Sequence, residues 1–296
     1  MLKERVAIVT GAGRGLGRAH AKLLASYGAR VVVNDMDLTL AEEVADEIVT
    51  SGGEAIAVAA SVTDEAQMTA MIDQIMGRWR RVDILINNAG ILRDKSFAKM
   101  TLADFRLVME VHLMGAVICT KSVWDIMRRQ SYGRIVMTTS SSGLYGNFGQ
   151  SNYAAAKMGL VGLMQTLALE GEKYGIRVNC LAPTAATPMT QGVLSEQALA
   201  RLEPKLVSPG LLALVREDAP TRAILCAGAG HFARAYVTLT KGCQIGDDDD
   251  AAEQVITQWD AVSNPVHQIV PAYGFKQAEL ELASAGCDAP TMAEPR

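Results

Sequence analysis

Short apolar runs alternate with longer amphipathic segments along most of this chain, and that alternation constrains the fold more than any other feature. The runs at residues 6–9, 31–34, 55–59, 84–86, 134–138 and 177–181 predict six strands. Amphipathic segments at 16–27, 38–50, 65–77, 102–129 and 153–174 predict helices between them. Repeated strand–helix units give a parallel sheet with helices on both faces. The sequence therefore predicts an α/β fold with a doubly wound parallel sheet.

The pattern loosens after Pro183. Residues 184–202 predict a loop with some helix, and residues 223–226 and 235–240 predict two further strands around Gly228-Ala229-Gly230. An acidic run at 247–250 is typical of a solvated loop and helix start, and a helix is predicted at 251–262. About thirty residues at the end show little periodicity. We therefore expect a principal domain at 1–246 and a partly helical extension at 247–296.

Composition argues against several classes of function. With 296 residues, 49% of them hydrophobic, the chain can bury one large core. A net charge of -4 without a dominant basic block argues against nucleic acid as a partner. The cysteines lack paired spacing and there is no Cys-x-x-Cys or His cluster, so we expect no metal site and a cytoplasmic location. The strand at 6–9 leaves no room for a signal peptide, and no apolar run approaches membrane-spanning length.

A glycine-rich turn at residues 10–17, Thr-Gly-Ala-Gly-Arg-Gly-Leu-Gly, follows the first predicted strand and opens the first predicted helix. Glycines at 11, 15 and 17 allow a tight turn and close approach of a pyrophosphate, whose charge the helix N-terminus stabilises. A plain turn of small residues is the alternative, and the flanking strand and helix argue against it. We expect a nucleotide cofactor to contact Gly11, Arg14, Gly15, Leu16 and Gly17.

Asp35 ends the second predicted strand and bears on the choice of cofactor. An acid at this place can accept hydrogen bonds from both adenosine ribose hydroxyls and would repel the 2′-phosphate of NADP. Arg14 argues the other way, since it could meet that phosphate. Asp35 could instead cap the next helix, but Asp37 is better placed for that. Because the charge of Asp35 falls where the phosphate would lie, we expect NAD.

Tyr153 and Lys157 carry the reactive chemistry. They are four residues apart, so on a helix they share one face. A phenol ordinarily has a pKa of about 10, and a nearby ammonium lowers it. Such a phenol can take a proton from an alcohol near neutral pH. With Ser140 thirteen residues before Tyr153 and a cofactor turn upstream, the chain is predicted to be an alcohol/ketone oxidoreductase.

This set of motifs, residues 10–17 and 87–90 with Ser140, Tyr153 and Lys157, resembles the short-chain dehydrogenase/reductase family. The resemblance implies a single Rossmann-like domain and hydride transfer between a nicotinamide and a carbinol carbon. It implies that Tyr153 is the acid/base, that Ser140 bonds the substrate oxygen, and that Lys157 binds the nicotinamide ribose and lowers the pKa of Tyr153. Contacts to the cofactor are implied for Asn88, Ala89, Gly90, Tyr153, Lys157 and Pro183.

Three positions depart from the family pattern. His112 stands where the family commonly has an Asn that holds a water in a proton relay. An imidazole can donate and accept hydrogen bonds, so His112 could take that role, or could be a packed polar residue. Ser61 and Val62 stand where an Asp commonly faces the adenine. Thr184 follows Pro183 in place of a common Gly, and Thr187 is the candidate for the carboxamide contact.

Residues 88–97, 132–137, 143–150 and 227–234 look like the dehydrogenase part of peroxisomal multifunctional enzymes of type 2 and related bacterial 17β-hydroxysteroid dehydrogenases. That likeness implies a stand-alone dehydrogenase for (3R)-hydroxyacyl-CoA thioesters or steroids. It also implies a homodimer or homotetramer joined through the helices near 102–129 and 153–174. The alternatives are an NADPH-dependent 3-oxoacyl carrier-protein reductase and a non-catalytic cofactor-binding regulator.

Two sets of side chains are candidates for substrate contacts. An apolar acyl or sterol slot could be lined by Tyr145, Phe148, Met189 and Leu194, although these residues could equally be ordinary loop and core residues. Positive charge for a CoA group could come from Arg93, Lys95 and Lys99.

Overall fold

The chain folds around a single sheet, seen in a computed structural model that describes residues 1–186 and 195–287. The strands of the described residues are β1 (Val6–Thr10), β2 (Arg30–Asp35), β3 (Glu54–Ala59), β4 (Ile84–Asn87), β5 (Gly133–Thr138), β6 (Ile176–Thr184), β7 (Ile224–Gly228) and β8 (His231–Ala235). Their order is β3-β2-β1-β4-β5-β6-β7-β8. Neighbouring strands are parallel except for the antiparallel pair β7 and β8. The predicted doubly wound α/β fold is confirmed.

Helices cover both faces of this sheet. In the sheet-bearing part they are α1 (Gly15–Ser26), α2 (Leu38–Thr50), α3 (Glu65–Trp79), α4 (Leu102–Met109), α5 (Gly115–Gln130), α6 (Ser141–Tyr145), α7 (Ser151–Gly171), α8 (Glu196–Leu199) and α9 (Ser208–Val215). One apolar core lies under α3, α5 and α7, and the other lies under α1, α2 and α9. Val6 and Ile8 of β1 face the first core, while Ala7 and Val9 face the second. Because both faces are buried, β1 is a continuous apolar run.

The strand order places the predicted site residues at one edge of the sheet. β1 pairs with β2 on one side and with β4 on the other. β2 and β3 extend the sheet on one side of β1 and the strands from β4 onward extend it on the other, so the strand order reverses at this point. In sheets of this kind ligands bind beyond the carboxyl ends of the strands at such a point. Thr10, Asp35 and Asn87 end the three strands that meet there.

Several predicted elements have different bounds. The single helix predicted at 102–129 is divided by a π-helical segment, Glu110–Met114, between α4 and α5. The strand predicted at 235–240 is wrong, because β8 begins at His231. Ala229 and Gly230 have φ values of 51° and 77°, which turn the chain tightly, so the antiparallel pairing with β7 starts at once.

The chain divides into two compact units, Met1–Ala235 and Tyr236–Arg296. The second unit contains α10 (Ala251–Thr257), α11 (Trp259–Val262) and α12 (Lys276–Ser284). The predicted helix at 251–262 is therefore two helices, and α12 occupies a stretch that showed little periodicity. Leu239 and Ile269 form an antiparallel bridge within this unit. Among the described residues, no helix combines the length and apolarity that crossing a membrane requires.

Acid is expected to destabilise the fold through His20, which lies buried between α1 and α9. Its Nδ1 is 2.8 Å from Ser208 Oγ, and burial lowers the pKa of His20 to about 3. Between pH 6.5 and about 3, the unfolded chain binds a proton here that the folded chain does not, so stability falls as the pH falls. As the pH is lowered across this range, the denaturant midpoint should fall less steeply for His20→Asn than for the wild type. The difference between the two slopes should correspond to about one proton. Equal slopes in the two proteins would contradict this role of His20.

Candidate active site

The glycine-rich turn connects β1 to α1. Gly11 and Gly15 have φ values of 61° and 56°, in the left-handed region that favours glycine. A Cβ on Gly17 would collide with the Gly11 carbonyl oxygen and lie 2.7 Å from Asn88 Nδ2. Arg14 occupies the N-cap position in an extended conformation and its side chain does not cap the helix. A helix N-terminus that follows a glycine turn and lacks a side-chain cap is suited to a phosphate group. Leu16 is the second residue of α1 and half-buried.

Thr10 joins this turn to residues 87–90, a role that sequence reasoning missed. Its hydroxyl donates to Ile86 O at 3.2 Å and accepts from the backbone N–H groups of Asn88 and Ala89 at 3.0 and 3.1 Å. The side-chain amide of Asn88 in turn donates to Thr10 O at 2.8 Å and Gly11 O at 3.1 Å. The available signal was a threonine at the end of a strand, directly before the glycine turn.

Asp35 lies against the glycine turn. Its Oδ2 accepts from Gly13 N at 2.9 Å and its Oδ1 accepts from Asp37 N at 3.2 Å. A Cβ on Gly13 would lie 2.9 Å from Asp35 Oδ2, so only glycine permits this approach. Asp37, and not Asp35, is the N-cap of α2, since its carboxylate accepts from Thr39 N. Arg14 is exposed. The carboxylate of Asp35 is thus fixed against the backbone of the glycine turn.

Ser140 and Tyr153 come together at the ends of α6 and α7. Ser140 follows β5 and caps α6, accepting from Ser142 N at 3.2 Å. The Ser140 side chain also lies beside the Tyr153 phenol, where it acts to lower the pKa of that phenol. The pKa of Tyr153 is raised above its usual value because burial outweighs this hydrogen bond.

Lys157 lies one turn after Tyr153 and is buried. Its Nζ donates to Thr138 O at 2.5 Å and lies 5.4 Å from the centroid of the Tyr153 ring. Burial lowers the pKa of Lys157 to about 7. Desolvation is the largest influence on the pKa of both side chains, and the effect of the Lys157 ammonium on the phenol stays a prediction.

His112 is brought into the same site by the π-helical segment. Its Nε2 is 2.7 Å from Ile91 O and 3.0 Å from Ile91 N. Its ring packs edge-on against Tyr153, with centroids 5.1 Å apart. A Cβ on Gly90 would overlap the imidazole, so the glycine admits this contact. Burial and then the charge of Lys157 lower the pKa of His112 to about 3, so the ring is neutral at pH 7.

The other predicted cofactor contacts lie at the same edge or outside the described residues. Ser61 follows β3, and its hydroxyl is 2.9 Å from Thr63 Oγ1. Val62 is buried and packs so closely on Gly115 that a Cβ on that glycine would lie 2.7 Å from a Val62 methyl carbon. Pro183 lies near the end of β6 and pairs with Ala227. Thr187 lies outside the described residues, as do the predicted substrate contacts Met189 and Leu194.

The loops beside the site are tied together. Lys95 N donates to Gly149 O at 2.9 Å, and Gln150 Nε2 donates to Asp94 Oδ2 at 2.6 Å. Asn152, directly before Tyr153, donates to Arg93 O at 3.2 Å. These bonds fix the position of the segment that enters the Tyr153 helix.

The predicted apolar and basic substrate contacts on these loops are open to solvent. Tyr145 and Phe148 are 72% and 91% exposed, so they are surface side chains beside the site and not part of the core. Arg93, Lys95 and Lys99 are exposed on the segment that follows β4.

Known proteins share this architecture. The family model for short chain dehydrogenases matches residues 5–198. The peroxisomal multifunctional enzyme type 2 of Drosophila melanogaster is 44% identical over 273 residues, which cover 88% of this chain and 45% of that enzyme. Its solved full-length structure superposes with a TM-score of 0.81 at 37% identity, covering 96% of this chain and 49% of that one. The chain thus spans less than half of this multifunctional relative.

Two further relatives are matched over most of their own length. A short-chain type dehydrogenase/reductase of Mycobacterium tuberculosis is 41% identical over 273 residues, covering 89% of this chain and 95% of the relative. The structure of a 7α-hydroxysteroid dehydrogenase complexed with NADH and 7-oxo glycochenodeoxycholic acid has a TM-score of 0.72 at 31% identity, covering 77% and 94%. With the fold and the family model in agreement, the chain belongs to the short-chain dehydrogenase/reductase family of nicotinamide-dependent oxidoreductases.

Proposed function

We propose that the protein is an NAD-dependent dehydrogenase that acts on the secondary alcohol or ketone of a 3-hydroxyacyl-CoA or a hydroxysteroid. The observation that carries the proposal is the proximity of Ser140, Tyr153 and Lys157, with Lys157 lining the same cavity as Thr10 of the glycine turn. The names of the relatives support the substrate classes. The resident nicotinamide would accept or deliver the hydride.

The proton is handled by this chain's own side chains. In the reducing direction Tyr153 donates its phenolic proton to the carbonyl oxygen, while the Ser140 hydroxyl donates a hydrogen bond to the same oxygen. In the oxidising direction the Tyr153 phenolate takes the alcohol proton. The raised pKa of Tyr153 keeps the phenol protonated at neutral pH, and the protonated phenol is the species that donates. Lys157 would hold the nicotinamide ribose and stabilise the phenolate once it forms.

The choice of cofactor is proposed to depend on Asp35. Its carboxylate is held by Gly13 N and Asp37 N, so its charge is fixed in place. Replacing it by Asn keeps an acceptor oxygen and removes the charge that repels a 2′-phosphate. We expect Asp35→Asn to lower the ratio of kcat/KM for NAD over NADP by about tenfold or more, that is, by at least about 1.4 kcal/mol.

Asp37→Asn is the matched control for this prediction. It changes a neighbouring carboxylate whose contacts are the helix-capping bonds to Thr39 N and Leu40 N. Its cofactor preference should equal that of the wild type. A ratio unchanged in Asp35→Asn, or lowered equally in both variants, would contradict the assignment.

The substrate class is tested by absorbance of the reduced nicotinamide. The protein would be given a (3R)-hydroxyacyl-CoA, a 17β-hydroxysteroid or a 3-oxoacyl thioester, each with NAD(H) and with NADP(H). Turnover with NAD and the acyl-CoA or the steroid supports the proposal. Turnover only with NADPH and the oxoacyl thioester would instead make the protein a reductase of the fatty-acid type, and absence of turnover with every pair would contradict all of these assignments.

A homodimer or homotetramer is proposed as well. Met158 and Leu169 on α7 and Leu102 and Leu107 on α4 are apolar and more than 40% exposed. Helix faces of this kind are suited to pairing with a second copy. Light scattering on the purified protein would measure the assembly, and a monomer would contradict the proposal. The cytoplasmic location stays a prediction.

A further inference from the structure

A buried asparagine, Asn34, stands between the glycine turn and the segment that follows β3. It precedes Asp35 on β2, and it pairs with Thr10 of β1 on one side and with Val58 of β3 on the other. Asn34 is 1% exposed and belongs to none of the cofactor contacts predicted above. Because its side chain is buried, it can act on a ligand only through the residues that it contacts.

The side-chain amide of Asn34 ties β2 to the end of β3. Its Nδ2 donates to Val58 O at 3.2 Å and to Ala60 O at 3.0 Å. The backbone of Asp35 adds a further bond, since its O accepts from Ala60 N at 3.1 Å. Both backbone polar groups of Ala60 are therefore bonded to Asn34 and Asp35, which fixes the point where the chain leaves β3.

The same two residues hold the glycine turn. Asn34 O accepts from Ala12 N at 2.8 Å, and Asp35 Oδ2 accepts from Gly13 N at 2.9 Å. Asn34 and Asp35 thus bond the turn through one set of atoms and Ala60 through another. These bonds set the separation of the glycine turn from the segment that begins at Ala60.

That segment reaches the site within two residues. Ser61 and Val62 follow Ala60 directly and are predicted cofactor contacts. Val62 lines the cavity that Thr10 and Lys157 also line. Holding Ala60 in place therefore holds this side of the site in place.

The unpaired carbonyl of Asn34 shows which part of the amide matters. Oδ1 is buried and has no hydrogen-bond partner among the described residues. A buried acceptor without a partner is destabilising. Leucine at position 34 would avoid this cost at similar volume but would donate no hydrogen bond, and an ionised aspartate would donate none either. An amide at this position is therefore explained by its two N–H donors.

We propose that Asn34 is a positioning residue for the nicotinamide cofactor, because it holds the glycine turn and residues 60–62 at a fixed separation. The proposal rests on the function proposed above, since it concerns how tightly NAD is bound. The role differs from that of Asp35, which depends on charge. Asn34 acts through the position of the backbone alone, so its loss should weaken NAD and NADP to the same degree.

Asn179 of β6 supplies the matched control. It is fully buried, and its Nδ2 also donates to two backbone carbonyls, those of Leu214 at 3.4 Å and Pro220 at 2.7 Å. None of these residues belongs to the candidate site.

The first test is calorimetry with NAD and with NADP. We expect Asn34→Leu to raise the Kd for NAD by at least about tenfold and to leave the ratio of the two cofactor constants within about twofold of the wild type. Asn179→Leu should change the Kd for NAD by less than about twofold. In turnover, the KM for NAD should rise in Asn34→Leu by a larger factor than kcat falls. An equal rise of Kd in both variants, or none in Asn34→Leu, would overturn the proposal.

The second test is hydrogen exchange in the protein without cofactor. Backbone amides of residues 10–17 and 58–64 should exchange at least about threefold faster in Asn34→Leu than in the wild type or in Asn179→Leu. Equal exchange in these two segments would refute the positioning role. If either variant fails to fold, Asn34→Ala and Asn179→Ala are compared instead, with the same contrast expected. A wild type that binds neither NAD nor NADP would count against the proposed function, and the exchange rates would still decide whether Asn34 holds the two segments.

Discussion

Replacing Tyr153 with Phe is expected to reduce kcat by at least about a thousandfold without loss of the fold or of NAD binding. The substitution removes one oxygen atom, the phenolic oxygen whose pKa the neighbouring Ser140 acts to lower. The ring keeps its edge-on packing against His112, 5.1 Å between centroids, so the neighbouring side chains lose no apolar contact. Turnover is followed by absorbance of the reduced nicotinamide, NAD binding by calorimetry and the fold by circular dichroism.

Tyr27→Phe is the control, because it removes the same oxygen from a tyrosine that is 40% exposed directly after α1 and outside the candidate site. Its kcat should stay within about twofold of the wild type. Activity near the wild-type level in Tyr153→Phe would exclude the phenol as the acid/base. Loss of activity together with loss of NAD binding would mean that Tyr153 mainly builds the cofactor site.

Replacing Arg134 with Met is expected to destabilise the fold by about 3 to 5 kcal/mol, the largest effect on stability foreseen here. Arg134 is buried near the start of β5, at the end of the strands opposite the site. Its guanidinium donates to four backbone carbonyls, those of Gly133, Gly175, Arg216 and Glu217, at 2.7 to 3.1 Å. Met fills similar volume but leaves these carbonyls without their donor. The midpoint of urea unfolding measures the change.

Arg128→Met is the matched control. Both arginines pack on a tyrosine ring, with Cζ 4.1 Å from the centroid of Tyr132 for Arg134 and 4.5 Å from that of Tyr174 for Arg128, but Arg128 lies on the surface. Its unfolding midpoint should change little. Arg134→Lys should recover only part of the loss, because an ammonium has three donors and cannot span four carbonyls. If Arg134→Met unfolds at the same urea concentration as the wild type, the carbonyl cluster is not a stabilising feature.

The fold was predictable because its signals are local. The apolar runs of strands buried on both faces, such as Val6–Thr10, stand out from the amphipathic helices, and their alternation fixes the parallel topology. The glycine turn was predictable for the same reason, since Gly11 and Gly15 have the backbone angles that glycine favours. Ser140 and Tyr153 were expected to share a site, and the Ser140 side chain lies close enough to the Tyr153 phenol to act on its pKa.

Other features depend on contacts between distant parts of the chain. The lowered pKa of Lys157 arises from burial, which the four-residue spacing from Tyr153 does not report. Thr10 bonds residues more than seventy positions away, and Arg134 bonds carbonyls on three separate segments. The π-helical segment escaped prediction because a window across 102–129 shows helical periodicity on both sides of it.

The π-helical segment sets the rotation of α5 relative to α4. Each residue of an α-helix advances the chain by about 100°, since 3.6 residues complete a turn. A π turn bonds across one residue more, so α5 is rotated by about that angle from the direction that an unbroken α4 would impose. The apolar stripe of α5 therefore meets the sheet independently of α4, and His112 lies within the π-helical segment itself. A one-residue deletion there would restore a continuous helix and turn the imidazole away from Tyr153.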